Sequence, residues 1–128
     1  KYAKEMREEI KIDIEAVFDL KSATLQSDIV VTCTPSKKPY VFKDFIQPGT
    51  FISAIGADSP DKQELDASIL QGTKVVVDIY EQCAKAGELH HALDAQLIKK
   101  ENVYGSLGEV VAEKKQGRME KNRRDLLR

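Results

Sequence analysis

Apolar positions along the chain follow two different spacings, and each change of spacing marks an element. In residues 1–10, Tyr2, Ala3, Met6 and Ile10 recur at the spacing of one helix face. Residues 11–17 change to a period of two. Ile12, Ile14 and Ala16 alternate with Lys11, Asp13 and Glu15, which predicts a half-buried strand near a sheet edge. A short helix is expected over 20–26. Residues 28–34, DIVVTCT, are a continuous β-branched run, the pattern of a strand covered on both faces. Thr34-Pro35-Ser36 ends it, because proline has no amide to give a ladder.

Residues 41–46 suit a helical turn or two, and Gln47-Pro48-Gly49 a turn. Residues 50–55, TFISAI, predict a second strand that runs into Gly56-Ala57-Asp58. A helix is expected over 61–70, closed near Gly72. Residues 74–80, KVVVDIY, predict a third buried strand. Helical stretches are expected over 81–86 and, after Gly87, on to Leu93. Residues 102–104 suit a short strand. Ser106-Leu-Gly-Glu109 has the form of a capping box, which opens a helix through Lys115.

Strands separated by helices predict an α/β domain, a mainly parallel sheet with helices on both faces. Ligands in such sheets bind beyond the carboxyl ends of strands. Thr34-Pro35-Ser36 and Gly56-Ala57-Asp58 are the two places that rule selects. A dinucleotide-binding domain usually opens with a G-x-G-x-x-G turn, and the chain has none. Gly105-Ser-Leu-Gly108 imitates it weakly and is accounted for by the capping box.

Composition narrows the class. A length of 128 residues allows one domain or a piece of one. The net charge of −1 argues against nucleic acid or an anionic membrane as partner. No apolar run reaches the roughly 18 residues of a membrane span, and no signal peptide is visible, so a cytoplasmic protein is expected. Arg118, Lys121, Arg123 and Arg124 make the end locally basic, and residues 119–128 are expected as a solvated tail or helix end. Cys33 and Cys83 are too few for a disulfide framework, and their apolar surroundings predict buried, reduced thiols. The chain begins at Lys1, as a piece of a longer protein would.

Asp58 is the leading candidate for chemistry. It lies just past a strand end and a glycine that allows a tight turn, and a carboxylate there can exchange a proton or orient an amine or water. An N-cap or Asx turn also accounts for it, and is the commoner use of such an aspartate. Asp61, Lys62 and Glu64 would sit in the first turn of the next helix, where acidic residues suit the dipole. They lack the pattern of a calcium loop, so no metal site is expected. His90 and His91 point about 100° apart on a helix, which is not a ligand pair but the pattern of surface or interface histidines.

The stretch SDIVVTCTPSKKPYVFKDFIQPGTFISAIGADSPDKQELDASIL, residues 27–70, resembles the middle of the dinucleotide-binding domain of the ornithine cyclodeaminase / μ-crystallin / alanine dehydrogenase family. VVVDIYEQCAKAGEL, residues 75–89, and GSLGEVVAEKKQGR, residues 105–118, are similar to later segments of that same domain. The motif GAD-x-P-x-K-x-EL is the most distinctive part. The resemblance implies a partial Rossmann-like, three-layer NAD(P)-binding domain over residues 1–118, without its first βαβ unit. It implies NAD(P) as cofactor and oxidation, reduction or cyclodeamination at an amino-acid α-carbon, with a small amino-acid or imino-acid substrate and a homo-oligomer. Asp58 matches the family's catalytic aspartate. Lys62 matches a lysine near the cofactor. Thr34, Pro35 and Ser36 match a loop beneath the dinucleotide, and Glu64 and Leu65 match structural positions. An aspartate at 58 favours the cyclodeaminase and dehydrogenase branches over a ketimine reductase; a ketimine or pyrroline-carboxylate reductase or a μ-crystallin-like ligand binder is the alternative within the family. Alone, such a fragment is expected to be inactive. The alternative is a non-catalytic half-domain that associates with itself through an exposed sheet edge.

Overall fold

A computed structural model describes residues 1–118; the basic segment 119–128 lies outside the described residues. Helix α1 (Tyr2–Ile10) ends where Lys11 turns left-handed, at φ 59°. It buries no residue. Helix α2 (Leu20–Leu25) starts at Asp19, whose carboxylate accepts the Ser22 amide at 3.0 Å, a side-chain cap for an otherwise unpaired donor.

Strand β1 (Ile29–Thr32) pairs in parallel with β2 (Phe51–Ala54), in register from Ile29↔Phe51 to Thr32↔Ala54. Strand β3 (Val75–Val77) pairs in parallel with β4 (Val103–Ser106), with an irregularity after Val75. The expected α/β class with parallel strands is therefore present, but as two two-stranded ladders. Helices α3 (Tyr80–Cys83) and α4 (Glu88–Asp94) come after β3, and α5 (Leu107–Val111) after β4. One apolar core serves both ladders: Val41, Ile52, Leu65, Ile69, Leu70, Val75, Val77, Leu89, Ala92 and Ile98. The capping box at the start of α5 closes as expected, with Glu109 N–H on Ser106 Oγ at 3.2 Å and Ser106 N–H on Glu109 Oε2 at 2.8 Å. The helix stops at Val111, short of Lys115.

Four expectations are corrected. Residues 11–17 form no strand, and no described strand pairs with them. Arg7 instead reaches across to the Ile14 carbonyl and to Asp13. β1 is not covered on both faces: Ile29 and Val31 are 65% and 58% exposed while Thr32 is buried. The same alternation puts Cys33 on the exposed face, so it is not a buried thiol, whereas Cys83 is half-buried. Residues 61–70 are not a helix. Only Ala67–Leu70 coils, as a short 3-10 turn. The amides that an α-helix would use internally go elsewhere: Gln63 N–H to Ser36 O at 3.0 Å, Glu64 N–H to Glu88 Oε1 at 2.7 Å and Asp66 N–H to Val41 O at 2.8 Å.

Candidate functional site

The carboxyl ends of β1 and β2 lie side by side. The amides of Ile55 and Gly56 both donate to the Thr32 carbonyl, at 2.9 and 3.1 Å. Two loops leave from this point, Thr34-Pro35-Ser36 and Gly56-Ala57-Asp58.

Glu64 ties them together. Its side chain is fully buried. Oε1 accepts the Thr34 amide at 2.6 Å, the Thr34 hydroxyl at 2.7 Å and the Tyr40 hydroxyl at 2.8 Å; Oε2 accepts the Gly56 amide at 3.0 Å. A buried carboxylate is tolerable only with its lone pairs filled in this way. Burial by itself pushes the Glu64 carboxyl upward, but the surrounding hydroxyls and the Thr34 amide outweigh it and hold the group below the usual range. The close approach needs a glycine at 56. A Cβ there would lie 2.5 Å from Glu64 Oε1 and from both N and O of Thr34. Burial pushes the Tyr40 phenol up to about 12; the Thr34 hydroxyl opposes this, and the Glu64 carboxylate adds to it. The reading of Glu64 and Leu65 as structural positions agrees with their burial.

Beyond this anchor the chain presents two ion pairs. Lys62 Nζ lies 2.6 Å from Asp58 Oδ1, with the Asp58 side chain 70% and the Lys62 side chain 25% exposed. The hydrogen bond from Lys62 holds the Asp58 carboxyl below its ordinary range. Lys37 Nζ lies 2.6 Å from Asp61 Oδ2, and the Ser59 hydroxyl donates to Asp61 Oδ1 at 2.7 Å. Lys37 and then Ser59 lower Asp61 to about 2. No helix begins after Asp58, so the N-cap reading of that residue does not hold.

The structure thus brings Asp58 and Lys62 into contact and sets the Thr34-Pro35-Ser36 loop on the neighbouring strand end. Thr34 itself faces inward chemically, its amide and hydroxyl both used by Glu64. Ser36 is likewise engaged locally, its amide on Thr34 Oγ1 and its hydroxyl on the Lys38 carbonyl. Pro35 is exposed between them.

Several contributors were not foreseen: Tyr40, Lys37, and above all Glu88 and His91 on α4. His90 and His91 are not free surface residues. Both are half-buried, with His90 Nε2 3.3 Å from Asp94 and His91 Nε2 2.7 Å from the Lys62 carbonyl. The only available signal was the Glu88–His91 spacing of three, which puts both on one helix face. Between β2 and β3 lies a half-open, mainly apolar cleft of about 200 Å³, lined by Ile52, Ala54, Val75, Val76, Val77 and Glu88 among others. Glu88 Oε2 is buried there with no hydrogen-bond partner among the described residues. Burial holds the Glu88 carboxyl above the ordinary range. Among the described residues no cluster of three His, Cys, Asp or Glu side chains could hold a metal, and no helix is long and apolar enough to cross a membrane.

Residues 1–126 match the ornithine cyclodeaminase/mu-crystallin family. The chain belongs to that family. An alanine dehydrogenase of Archaeoglobus fulgidus is 48% identical over 91 residues, which are 71% of this chain and 28% of that protein. The structure of Thermococcus litoralis Δ1-pyrroline-2-carboxylate reductase, in complex with NADH and L-proline, superposes with a TM-score of 0.89 and 31% identity over 98% of this chain and 39% of that one. An archaeal alanine dehydrogenase dimer with bound NAD superposes with a TM-score of 0.85 and 38% identity, over 98% of this chain and 39% of that one. The fold is thus a partial Rossmann-like one, and the chain spans between 28% and 39% of the length of these family members.

Proposed function

We propose that this chain supplies the substrate-side carboxylate and the cofactor-side loop of an NAD(P)-dependent oxidoreductase or cyclodeaminase acting at the α-carbon of an amino acid. The observation that carries this reading is the Asp58–Lys62 ion pair. It lies at 2.6 Å, open to solvent, just past the carboxyl end of a parallel strand. Ligands of parallel α/β sheets bind at such ends.

The residues present fit part of a dinucleotide. The donors of Thr34 and Ser36 are already engaged within the protein, so this loop suits a packing floor under a ring or ribose rather than a phosphate grip. Lys62 is the cation closest to Asp58, and phosphate binding of the G-x-G-x-x-G kind has no counterpart in the sequence. When bound, NAD(P) supplies the acceptor or donor of hydride. Asp58, held ionised by Lys62, is poorly suited to strong general-base work at neutral pH, since its affinity for a proton is lowered. It is well suited to hold a substrate ammonium or the cationic imine formed from it, with Lys62 released to solvent or to an anionic group. The branches that deaminate or cyclise an amino acid fit this chemistry better than a neutral-ligand binder.

The test is amide mapping by NMR with millimolar NAD+ and then L-alanine or L-ornithine. Shifts confined to residues 34–36 and 56–62 are the expected result, with the amino-acid response lost in Asp58→Asn. Shifts elsewhere, or an Asp58→Asn response equal to wild type, would sink the reading.

A second reading, self-association, has its own observation. Phe18, Ile29 and Val31 are 103%, 65% and 58% exposed, and among the described residues one edge of β1 is unpaired, a combination that favours edge pairing. Light scattering of a clean monomer at high concentration would remove it.

A further inference from the structure

Helix α4 touches the segment that carries Asp58 and Lys62 at three successive points. Gly87, at its start with φ 87°, packs so closely that a Cβ would lie 2.8 Å from the Ala57 carbonyl oxygen. Glu88 Oε1 accepts the Glu64 amide at 2.7 Å. His91 Nε2 lies 2.7 Å from the Lys62 carbonyl oxygen. A carbonyl can only accept, so the imidazole must carry its proton on Nε2. The contacts bracket the reactive pair: Ala57 precedes Asp58, and the Lys62 carbonyl and Glu64 amide come after it. The intervening residues form no helix that could hold them by themselves.

We propose that Glu88 and His91 are positioning residues for the Asp58–Lys62 pair, with α4 acting as the template that sets the Lys62 main chain and therefore the reach of its ammonium to Asp58. The inference rests on reading Asp58 and Lys62 as the reactive pair. The two ideas separate cleanly, because the template is a statement about geometry and the pair's role is a statement about substrate.

The mechanism is simple. Glu88 and His91 lie one turn apart on one face of α4 and grip opposite polarities of the same backbone stretch, an amide and a carbonyl. That leaves the stretch neither rotation about its axis nor a slide along the helix. The gripped carbonyl belongs to Lys62 itself. Its side chain, 25% exposed, then leaves the backbone from a fixed point and meets Asp58 four residues earlier. The charged groups near Asp58 are Lys62 and Asp61, the latter neutralised by Lys37. Those near His91 are Glu88, and the His90 ring at 5.2 Å. None of these besides Lys62 contacts the Asp58 carboxylate, so the Asp58 titration reports on Lys62 placement.

The experiment is carbon-detected NMR titration of the Asp58 carboxyl in the full 128-residue chain, for wild type, His91→Ala and His91→Gln. Loss of the grip in His91→Ala should move the Asp58 midpoint upward toward the ordinary aspartate range. The Lys62 ammonium resonance should lose its dependence on Asp58 ionisation. His91→Gln restores a donor at this position and should return the midpoint most of the way to wild type. A merely structural histidine would lower thermal stability in both variants and leave the Asp58 midpoint unmoved, and that result overturns the proposal. Should His91→Ala fail to fold, Glu88→Gln carries the test. It retains an acceptor for the Glu64 amide and should leave the midpoint near wild type, whereas Glu88→Met should raise it. An unchanged midpoint in Glu88→Met overturns the proposal equally. If instead Asp58→Asn retains its amino-acid response while the midpoints shift as stated, the template stands and the substrate reading falls.

Discussion

Replacing Glu64 by glutamine is the sharpest probe of what holds the site together. The carboxylate receives four donors, three on Oε1 and one on Oε2. In the better of its two orientations, the glutamine keeps its oxygen at the Oε1 position and retains three bonds. Each of the three now ends on a neutral acceptor, and charge-assisted bonds are roughly twice as strong as neutral ones. The fourth donor, the Gly56 amide, faces an NH2 group. A buried donor left unsatisfied costs about 1–3 kcal/mol. Adding roughly 0.7 kcal/mol for each of the three weakened bonds gives a loss of about 3–5 kcal/mol. That is a large part of the ~5–15 kcal/mol that holds an ordinary domain folded. At roughly 4 °C per kcal/mol for a domain of this size, the melting temperature should fall by about 12–20 °C. Urea denaturation monitored by tyrosine fluorescence, together with a thermal melt, measures both quantities. The loss should be partly shared with Thr34→Ala, so the double variant should be less than additive. A Glu64→Gln protein within about 0.5 kcal/mol of wild type, the usual span of a surface substitution, would refute the reasoning, since it would mean that the four contacts carry no net stability.

Other contacts give further expected outcomes. Gly56→Ala places a Cβ 2.5 Å from main-chain atoms of Thr34 and should cost about 3 kcal/mol or more, the upper end of overpacking; Gly72→Ala, at φ 77° with nothing within 4 Å, should cost only the ~1–2 kcal/mol of a left-handed backbone, and equal losses in urea would contradict the crowding at Gly56. Tyr40 has its phenol raised to about 12; the folded form keeps the proton that the unfolded chain gives up from about pH 10, so the stability it contributes is intact below about pH 10 and disappears as pH rises to about 12. Phenolate absorbance in the near ultraviolet, compared between wild type and Tyr40→Phe, should show that residue ionising last, and its ionisation near the ordinary tyrosine range would be a failure. Asp61 is lowered to about 2 by Lys37 and Ser59, so its contribution is present above the ordinary carboxylate range and is lost as pH falls toward about 2. Lys37→Met should therefore raise the Asp61 midpoint seen by NMR and make the acid limb of the stability curve shallower, and an unmoved midpoint would exclude the pairing.

The parts of this fold that were legible in the sequence are those where local and long-range demands agree. The runs IVVT, FISA and VVV became β1, β2 and β3 because β-branched and aromatic residues suit a pleated surface and a parallel neighbour was at hand. The α5 cap was readable because both its partners lie three residues apart. Residues 11–17 show that alternation alone is insufficient, since a strand forms only where it pairs with a neighbour, and these residues pair with none of the described strands. Residues 61–70 carry helical spacing and still do not coil, because their amides serve Ser36, Val41 and Glu88 instead. The site divides in the same way. Asp58 and Lys62 are four residues apart and meet directly. The partners of Glu64 come from Thr34, Tyr40 and Glu88, separated from it by 30, 24 and 24 residues, and no local pattern ties such positions together.

The two ladders share a core but no hydrogen-bonded strand pairing joins them. A plane can be drawn between β2 and β3 that cuts apolar packing and few polar links. Among the described residues those links are mainly the ones from Glu88 and His91 to the 62–65 stretch, with Arg118 on the Gly49 carbonyl. The molecule therefore has a built-in line of weakness. Sub-global opening along it would expose Val76 and Val77 to exchange before β1 and β2 come apart. The same α4 contacts that hold Lys62 in place are the rivets across that line, so their loss should show first as a softening of this joint and only later as unfolding.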